Sequence, residues 1–131
     1  MKKIQVVAAI IKNQNRILCC QREANKLTYL SEKWEFPGGK LEEGESNKEG
    51  LIREIKEELE MDIYNLEFAL TVQHQYPNFH LTMHTYFADT KQINHELHAH
   101  KKATWESIEN LDKFDWAAAD IPIVEYLKKN L

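Results

Sequence analysis

Residues 38–63, GGKLEEGESNKEGLIREIKEELEMDI, hold every glycine of the chain and its densest run of acids. Gly38, Gly39, Gly44 and Gly50 fall within thirteen positions, which concentrates the backbone freedom of glycine in one loop and the helix after it. Ser46-Asn47-Lys48-Glu49 has the pattern of a capping box, in which the Ser46 hydroxyl and the Glu49 carboxylate close the first turn. This predicts a helix from about Asn47 to about Glu60. At about 100° per residue, Leu51, Ile52, Ile55 and Leu59 gather on one side for the core. Glu54, Glu57 and Glu58 gather on a neighbouring edge, with Gly50 one turn before them.

Like charges three and four positions apart cost an isolated helix about 0.2–0.5 kcal/mol per pair. A helix shaped only for a solvated face would interleave lysine on that edge, and this one does not. Three carboxylates on one edge suit a hard divalent cation such as Mg2+, which takes oxygen ligands and keeps waters that a phosphate can replace. Taken alone, the cluster also reads as an ordinary solvated acidic face.

The spacing separates the two. Gly39, five residues, Glu45, seven residues, then Arg53-Glu54-Ile55-Lys56-Glu57-Glu58 resembles the signature of the Nudix hydrolase family. The departure is at the end, where that family usually has glycine and this chain has Glu60. A glycine there would serve a left-handed helix terminus, and Glu60 in that geometry costs about 1–2 kcal/mol. Trp34-Glu35-Phe36-Pro37-Gly38-Gly39-Lys40 and the short chain are similar to the MutT-like branch, which includes 8-oxo-dGTP diphosphatases and CTP/dCTP pyrophosphohydrolases. The resemblance spans the chain, most strongly residues 34–59.

The resemblance implies an α/β/α sandwich with a mixed sheet between helices. It also implies Mg2+-dependent hydrolysis, with Mn2+ as the substitute, of a nucleoside triphosphate to the monophosphate and pyrophosphate. By position, Glu54, Glu57 and Glu58 would bind metal with the Gly38 carbonyl. Arg53 would orient these carboxylates and Glu45 would brace the loop or hold an outer-sphere water, with Glu54 or Glu57 as the base. Arg22, Glu35, Phe36, Tyr76 and Asn78 stand where those relatives line the pocket. Many MutT-like enzymes carry a further glutamate six residues before a tryptophan like Trp105; here that position is Ala99, and Glu96 is the nearest acid. Two alternatives remain: a Nudix enzyme acting on a diphosphate conjugate such as ADP-ribose or a nucleotide sugar, and a noncatalytic nucleotide-binding module.

The 131 residues, 43% hydrophobic and 29% charged, suit one domain, residues 1–131, around a single core. A formal net charge of −4 excludes a nonspecific binder of nucleic acid polymers, whose footprint is a basic patch. The expected partner is a small nucleotide, and the assembly a monomer or homodimer. Met1-Lys2-Lys3 before IQVVAAII looks like a signal peptide, but Gln5 and Lys12 interrupt it and no small-residue cleavage site follows, so a strand is expected. No stretch approaches the ~18 consecutive apolar residues of a membrane span. Cys19 and Cys20 are adjacent on a predicted strand and face opposite ways. Two reduced thiols in a cytoplasmic protein are the plainer expectation.

Residues 3–11 and 16–21 read as a hairpin around the polar turn at 12–15. Residues 23–33 form a polar surface loop beside the pocket. Pro37 excludes helix at Phe36 and leaves an extended entry into Gly38-Gly39. After the helix, 66–75 and 79–89 form a second hairpin around Tyr76-Pro77-Asn78. Residues 91–102 are polar and hold His95, His98 and His100, read as a solvated loop because no acid or cysteine completes a zinc set. Residues 103–105 form a last short strand. His80 and His84 share a strand face, and Trp105 and Trp116 read as core or lid residues more readily than as base-stacking platforms. The pattern of elements is α/β or α+β.

Asp120-Ile121-Pro122 marks a helix start, with Asp120 as N-cap and proline in the first turn. In MutT-like enzymes the matching position reads the base edge. An ionised aspartate only accepts hydrogen bonds, so Asp120 would favour exocyclic amino groups over a bare carbonyl edge.

Overall fold

A computed structural model describes residues 2–131; Met1, and with it the start of the signal-like stretch, lies outside them. The elements run β1 (Lys2–Asn13), β2 (Arg16–Arg22), β3 (Trp34–Glu35), β4 (Gly38–Lys40), α1 (Asn47–Leu59), β5 (Tyr64–Gln75), β6 (Phe79–Asp89), β7 (His100–Glu106) and α2 (Ile121–Asn130). Short 3-10 turns at Ile108–Lys113 and Ala118–Asp120 lead into α2. The expected elements are present, whereas the turn at Ile108–Lys113 had no sequence signal and β7 begins three residues earlier than read.

One mixed sheet has the order β3-β2-β1-β6-β5, with β4 also on β1 and β7 also on β2. β1 lies parallel to β6 from Lys2↔Phe79 to Lys12↔Asp89. The expected β1–β2 hairpin survives only at its tip, Lys12↔Ile17 and Asn13↔Arg16. Below the tip the two strands part: β4 pairs with β1 at Val6, Val7 and Ala8, and β3 pairs with β2 at Cys20 and Gln21. Val6, Val7 and Ala8 of β1 and Arg22 of β2, on the parted segments, line one cavity.

Strand alternation sends side chains to two cores. Leu51, Ile55 and Leu59 of α1 pack on Val7, Ala9, Ile11, Leu18 and Cys20. Ile123, Val124 and Leu127 of α2 pack on Ala8, Ile10, Ile17 and Cys19 across the sheet. The result is the α/β/α sandwich. Cys19 and Cys20 are unpaired thiols, one in each core, and burial pushes Cys19 up to about 12, so neither is a reactive surface thiol. Ile52, read as a core residue, is instead 42% exposed. Among the described residues no helix is long and apolar enough to cross a membrane.

Candidate active site

The capping box forms as read: Ser46 Oγ accepts from the Glu49 N–H at 3.1 Å, and Glu49 Oε1 accepts from the Ser46 N–H at 3.0 Å. The helix it starts ends at Leu59, and Glu60 follows in the left-handed region at φ 53°, ψ 39°. Of the four glycines, Gly44 uses a positive φ, +84°; the others answer to space, which corrects the reading of the whole stretch as backbone freedom. A Cβ on Gly38 would stand 1.9 Å from the Val7 carbonyl oxygen, and one on Gly39 2.3 Å from Glu54 Oε2. Gly50 admits Leu41 and the Glu45 carboxylate against α1. The glycines therefore press β4 onto β1 and α1 onto β4.

Arg53 organises the acidic edge. Its Nε and Nη2 donate to Glu45 at 2.6 and 2.9 Å, and its Nη1 donates to Glu54 at 3.0 Å and Glu57 at 3.1 Å. Nη2 also donates to the Lys40 carbonyl at 3.1 Å, tying the helix to the loop. Arg53's hydrogen bonds and a backbone bond from Glu42 hold the Glu45 carboxyl down at about 2, and Glu45 in turn keeps Arg53 firmly protonated.

Glu58 is different. Burial first, then the negative charges of Glu54 and Glu35, push its carboxyl up to about 8. Its Oε1 is buried and has no hydrogen-bond partner among the described residues. An orphaned carboxylate oxygen beside other acids is the donor chemistry of a hard cation. The three carboxylates form an edge rather than a closed cage, because Arg53 lies among them; no set of three acids, histidines or cysteines among the described residues is already drawn into metal-binding geometry.

Glu58 faces a cavity of about 400 Å³ that Gly38 and Gly39 also line. Arg22, Glu35, Phe36, Tyr76, His100 and Asp120 also line it. Glu35 sits between two donors, Arg22 Nη1 and His100 Nε2, each at 2.9 Å. Burial pushes the Glu35 carboxyl up, but the hydrogen bonds and charges of His100 and Arg22 more than offset it, and the group lies below its ordinary value. Asp120 Oδ1 accepts from the Phe36 N–H at 3.0 Å. Burial, then the charge of Glu35, raise the Asp120 carboxyl well above its ordinary value. The Phe36 ring stacks on Trp116 at 4.8 Å, and the buried Tyr76 ring stacks on Tyr29 at 5.2 Å.

Residues 6–126 match the family described as NUDIX domain. The CTP pyrophosphohydrolase of Escherichia coli (strain K12) is 34% identical over 125 residues, 95% of this chain and 91% of that protein. The 8-oxo-dGTP diphosphatase of the same organism is 27% identical over 129 residues, 98% and 99% of the two. The solution structure of MutT from methicillin-resistant Staphylococcus aureus 252 aligns over 100% of both chains with 40% identity and a TM-score of 0.75. The chain belongs to the Nudix hydrolase family.

Within this Nudix fold, the structure brings Gly38, Gly39, Glu58, Arg22, Glu35, Phe36, Tyr76 and Asp120 to one cavity, with Glu45, Arg53, Glu54 and Glu57 on the adjoining edge. Asn78 departs from its expected place: it is exposed, does not line the cavity, and accepts from the Tyr29 hydroxyl. Glu96 is exposed and also off the cavity, its backbone N–H bonded to the Leu59 carbonyl at 3.0 Å, while Ala99 lines the wall. Asp120 stands at the N-cap position but makes no capping hydrogen bond; its carboxyl turns to Phe36 instead. Burial favours the protonated form of Asp120, in which the carboxyl also has a hydrogen to donate, so the acceptor-only reading holds only for its ionised form.

His100 is the residue the sequence reading missed. It was assigned to a solvated loop, and it lies 5% exposed on β7 inside the cavity wall. His98 pairs with Glu60 at the end of α1. His80 and His84 bond to Gln73, Gln75 and Thr71 on β5, away from the cavity. Trp116 is a core residue whose Nε1 donates to the Leu111 carbonyl at 2.7 Å.

Proposed function

We propose that this Nudix enzyme is a single-domain, Mg2+-dependent nucleoside triphosphate pyrophosphohydrolase, releasing pyrophosphate and the monophosphate. The observation that carries this reading is the juxtaposition at one cavity of Glu58, with an orphaned oxygen and the carboxylate edge beside it, and of the polar Arg22, Glu35, His100 and Asp120 with the aromatic Phe36 and Tyr76. The first suits a cation and the phosphates it escorts; the second suits a base. The names of the two E. coli relatives point to CTP-like or 8-oxo-dGTP-like substrates.

Glu54, Glu57 and Glu58, with the Gly38 carbonyl, would hold Mg2+, or Mn2+ in its place. When bound, the cation supplies polarisation of phosphoryl oxygens, acidification of a coordinated water and neutralisation of leaving-group charge. The chain's own part is positioning. Arg53 sets the rotamers of Glu54 and Glu57 and, through Glu45 and the Lys40 carbonyl, fixes α1 against the glycine loop. Glu54 or Glu57 takes the proton of the attacking water. Phe36 and Tyr76, each held by a stacked partner, give the base a rigid wall, and Asp120 reads its edge.

A panel of nucleoside triphosphates and ADP-ribose, assayed with and without Mg2+ for pyrophosphate against phosphate, tests the reading. Pyrophosphate release from a triphosphate that needs the metal is the expected result. Turnover of ADP-ribose alone transfers the enzyme to the diphosphate-conjugate class, and nucleotide binding without turnover makes it a sensor module.

A further inference from the structure

The 3-10 turn Ala118–Asp120 has no side-chain cap of its own, because Ala117 stands at its N-cap and alanine has no oxygen to offer. An N-cap side chain ordinarily accepts from the N–H of the second or third residue of the turn, since the first donors have no partner within it. Here the second donor is the Ala119 N–H, and Ala119 is 1% exposed. Its partner comes from a distant part of the chain: Tyr76 Oη, just past the end of β5, accepts from it at 3.0 Å. Tyr76 thus does from outside what a serine or aspartate at the N-cap would do from within.

Tyr76 is itself fixed. Its N–H donates to the Phe79 carbonyl at 2.9 Å, and its ring lies against those of Tyr29, His74 and Phe79, with centroids 5.2, 4.4 and 5.1 Å away. The other hold on the turn is β3, where the Ala117 N–H donates to the Trp34 carbonyl at 2.8 Å. The segment that presents Asp120 is therefore pinned to β3 through Ala117 and to the β5–β6 turn through Ala119. One residue on, the Asp120 carboxyl lines the cavity and accepts from the Phe36 N–H.

We propose that Tyr76 is a positioning residue for base selection: its hydroxyl caps the turn that presents Asp120, and so sets where the Asp120 carboxyl meets the base. The inference rests on the nucleotide reading above, with Asp120 as the reader of the base edge. Without the hydroxyl the buried Ala119 N–H has no acceptor, and that cost drives the turn toward water or another oxygen. Asp120 moves with it, while the Tyr76 ring and its stacking partners stay in place. Tyr76→Phe is the test, because it removes the one oxygen and keeps the ring.

The assay takes the ratio of kcat/KM values for CTP over UTP and for 8-oxo-dGTP over dTTP, pairs that share a sugar, and follows the pair between which the parent discriminates more. The ratio should fall about fivefold in Tyr76→Phe, with the loss in KM of the preferred substrate. In an Asp120→Ala background the same change should leave the ratio where Asp120→Ala alone puts it, because Tyr76 acts through Asp120. An unchanged ratio in Tyr76→Phe overturns the inference. So does an equal loss on both members of the pair, which marks a structural role, and so does an equal fall in both backgrounds, which makes Tyr76 a contact of the base in its own right. Amide hydrogen exchange gives a readout that needs no activity: the Ala119 N–H should be protected in the parent and exchange about tenfold faster in Tyr76→Phe. An Ala119 amide that exchanges in the parent as fast as surface amides overturns the cap. A parent that hydrolyses none of these triphosphates overturns the functional reading and this inference with it, whereas an active parent whose preference survives Tyr76→Phe overturns the inference alone.

Discussion

At the α1 end of the cavity one guanidinium serves four carboxylates: Glu42, Glu45, Glu54 and Glu57 all lie within 3.4 Å of Arg53. At the Asp120 end Arg22, Glu35, His100 and Asp120 come from β2, β3, β7 and the approach to α2, with the Arg22 side chain 32% and that of His100 3% exposed, and Arg22 Nε and His100 Nδ1 are buried with no partner among the described residues. The first end is a network whose groups are already paired, with side chains from 15% exposed at Glu54 to 66% at Glu42, and a cation and phosphates that leave on each cycle would suit it. The second is a preformed wall with unmet hydrogen bonds, as suits discrimination between bases, where unpaired polar groups penalise the wrong ligand. Chemistry and selectivity should therefore separate when each end is disturbed.

The largest expected effect comes from Glu57→Gln. The Glu57 side chain is 57% exposed, so the fold should be intact by circular dichroism and thermal melting. Hydrolysis should fall about a hundredfold or more on every nucleotide, since a lost metal ligand removes several kcal/mol of transition-state stabilisation. Activity within threefold of the parent at saturating Mg2+ would remove Glu57 from the metal site. Asp120→Ala probes the other end. It should lower kcat/KM about tenfold or more for the preferred base and much less for a poor substrate such as UTP. An equal loss across all triphosphates would make Asp120 a packing residue under Phe36.

The contrast also explains what could be read from sequence. The α1 end is one contiguous segment, so helical periodicity alone put Glu54, Glu57 and Glu58 on one edge and the capping box fixed where the helix starts. The Asp120 end is assembled by pairing between strands distant in the chain. The triad Arg22, Glu35 and His100 exists because β3 and β7 flank β2, and because one bulge reverses the facing of two residues. A polar run with three histidines carries no mark of such a bulge, so His100 looked like loop. Asp120 was legible in part: its position at the start of α2 was read correctly, but its burial against Phe36, and hence its raised carboxyl, depended on the tertiary fold.

A third, smaller effect sharpens the comparison through pH. The Glu58 carboxyl rises from its ordinary 4.5 to about 8 on folding. Between those values the folded protein keeps a proton that the unfolded chain has lost, so metal-free stability should decline as pH rises from about 4.5 to about 8 and level off above. Asp120, also raised, contributes a slope of the same sign. Melting curves in EDTA for the parent and Glu58→Gln isolate the Glu58 share: the variant should be the more stable near pH 8 by about 3 °C or more, and the advantage should vanish near pH 4.5. Mg2+ should stabilise the parent increasingly with pH, because binding requires the ionised group. An equal gain of the variant at both pH values would detach Glu58 from this titration.

The smallest effect lies just past the α1 end, at Glu60. Its left-handed backbone, φ 53°, is strained by about 1–2 kcal/mol for a residue with a Cβ. Glycine removes that strain but makes the unfolded chain more flexible, an opposing cost of about 0.5–1 kcal/mol. It also deletes the hydrogen bond with His98, in which both side chains are more than half exposed; such exposed contacts are worth about 0–1 kcal/mol. The backbone contacts would survive, since the Glu60 N–H still bonds to the Lys56 carbonyl, and the 91–99 loop still meets the Glu58 and Leu59 carbonyls through its own N–H groups. Glu60→Gly should therefore raise the melting temperature by about 1–3 °C at low salt. 1 M NaCl screens any charge in the His98 contact, so the gain there should be no smaller. A melting temperature that falls at both salt concentrations would mean that His98 and its loop secure the end of α1 more strongly than the backbone strain opposes it, and would move part of the metal-end architecture into the loop that delivers His100.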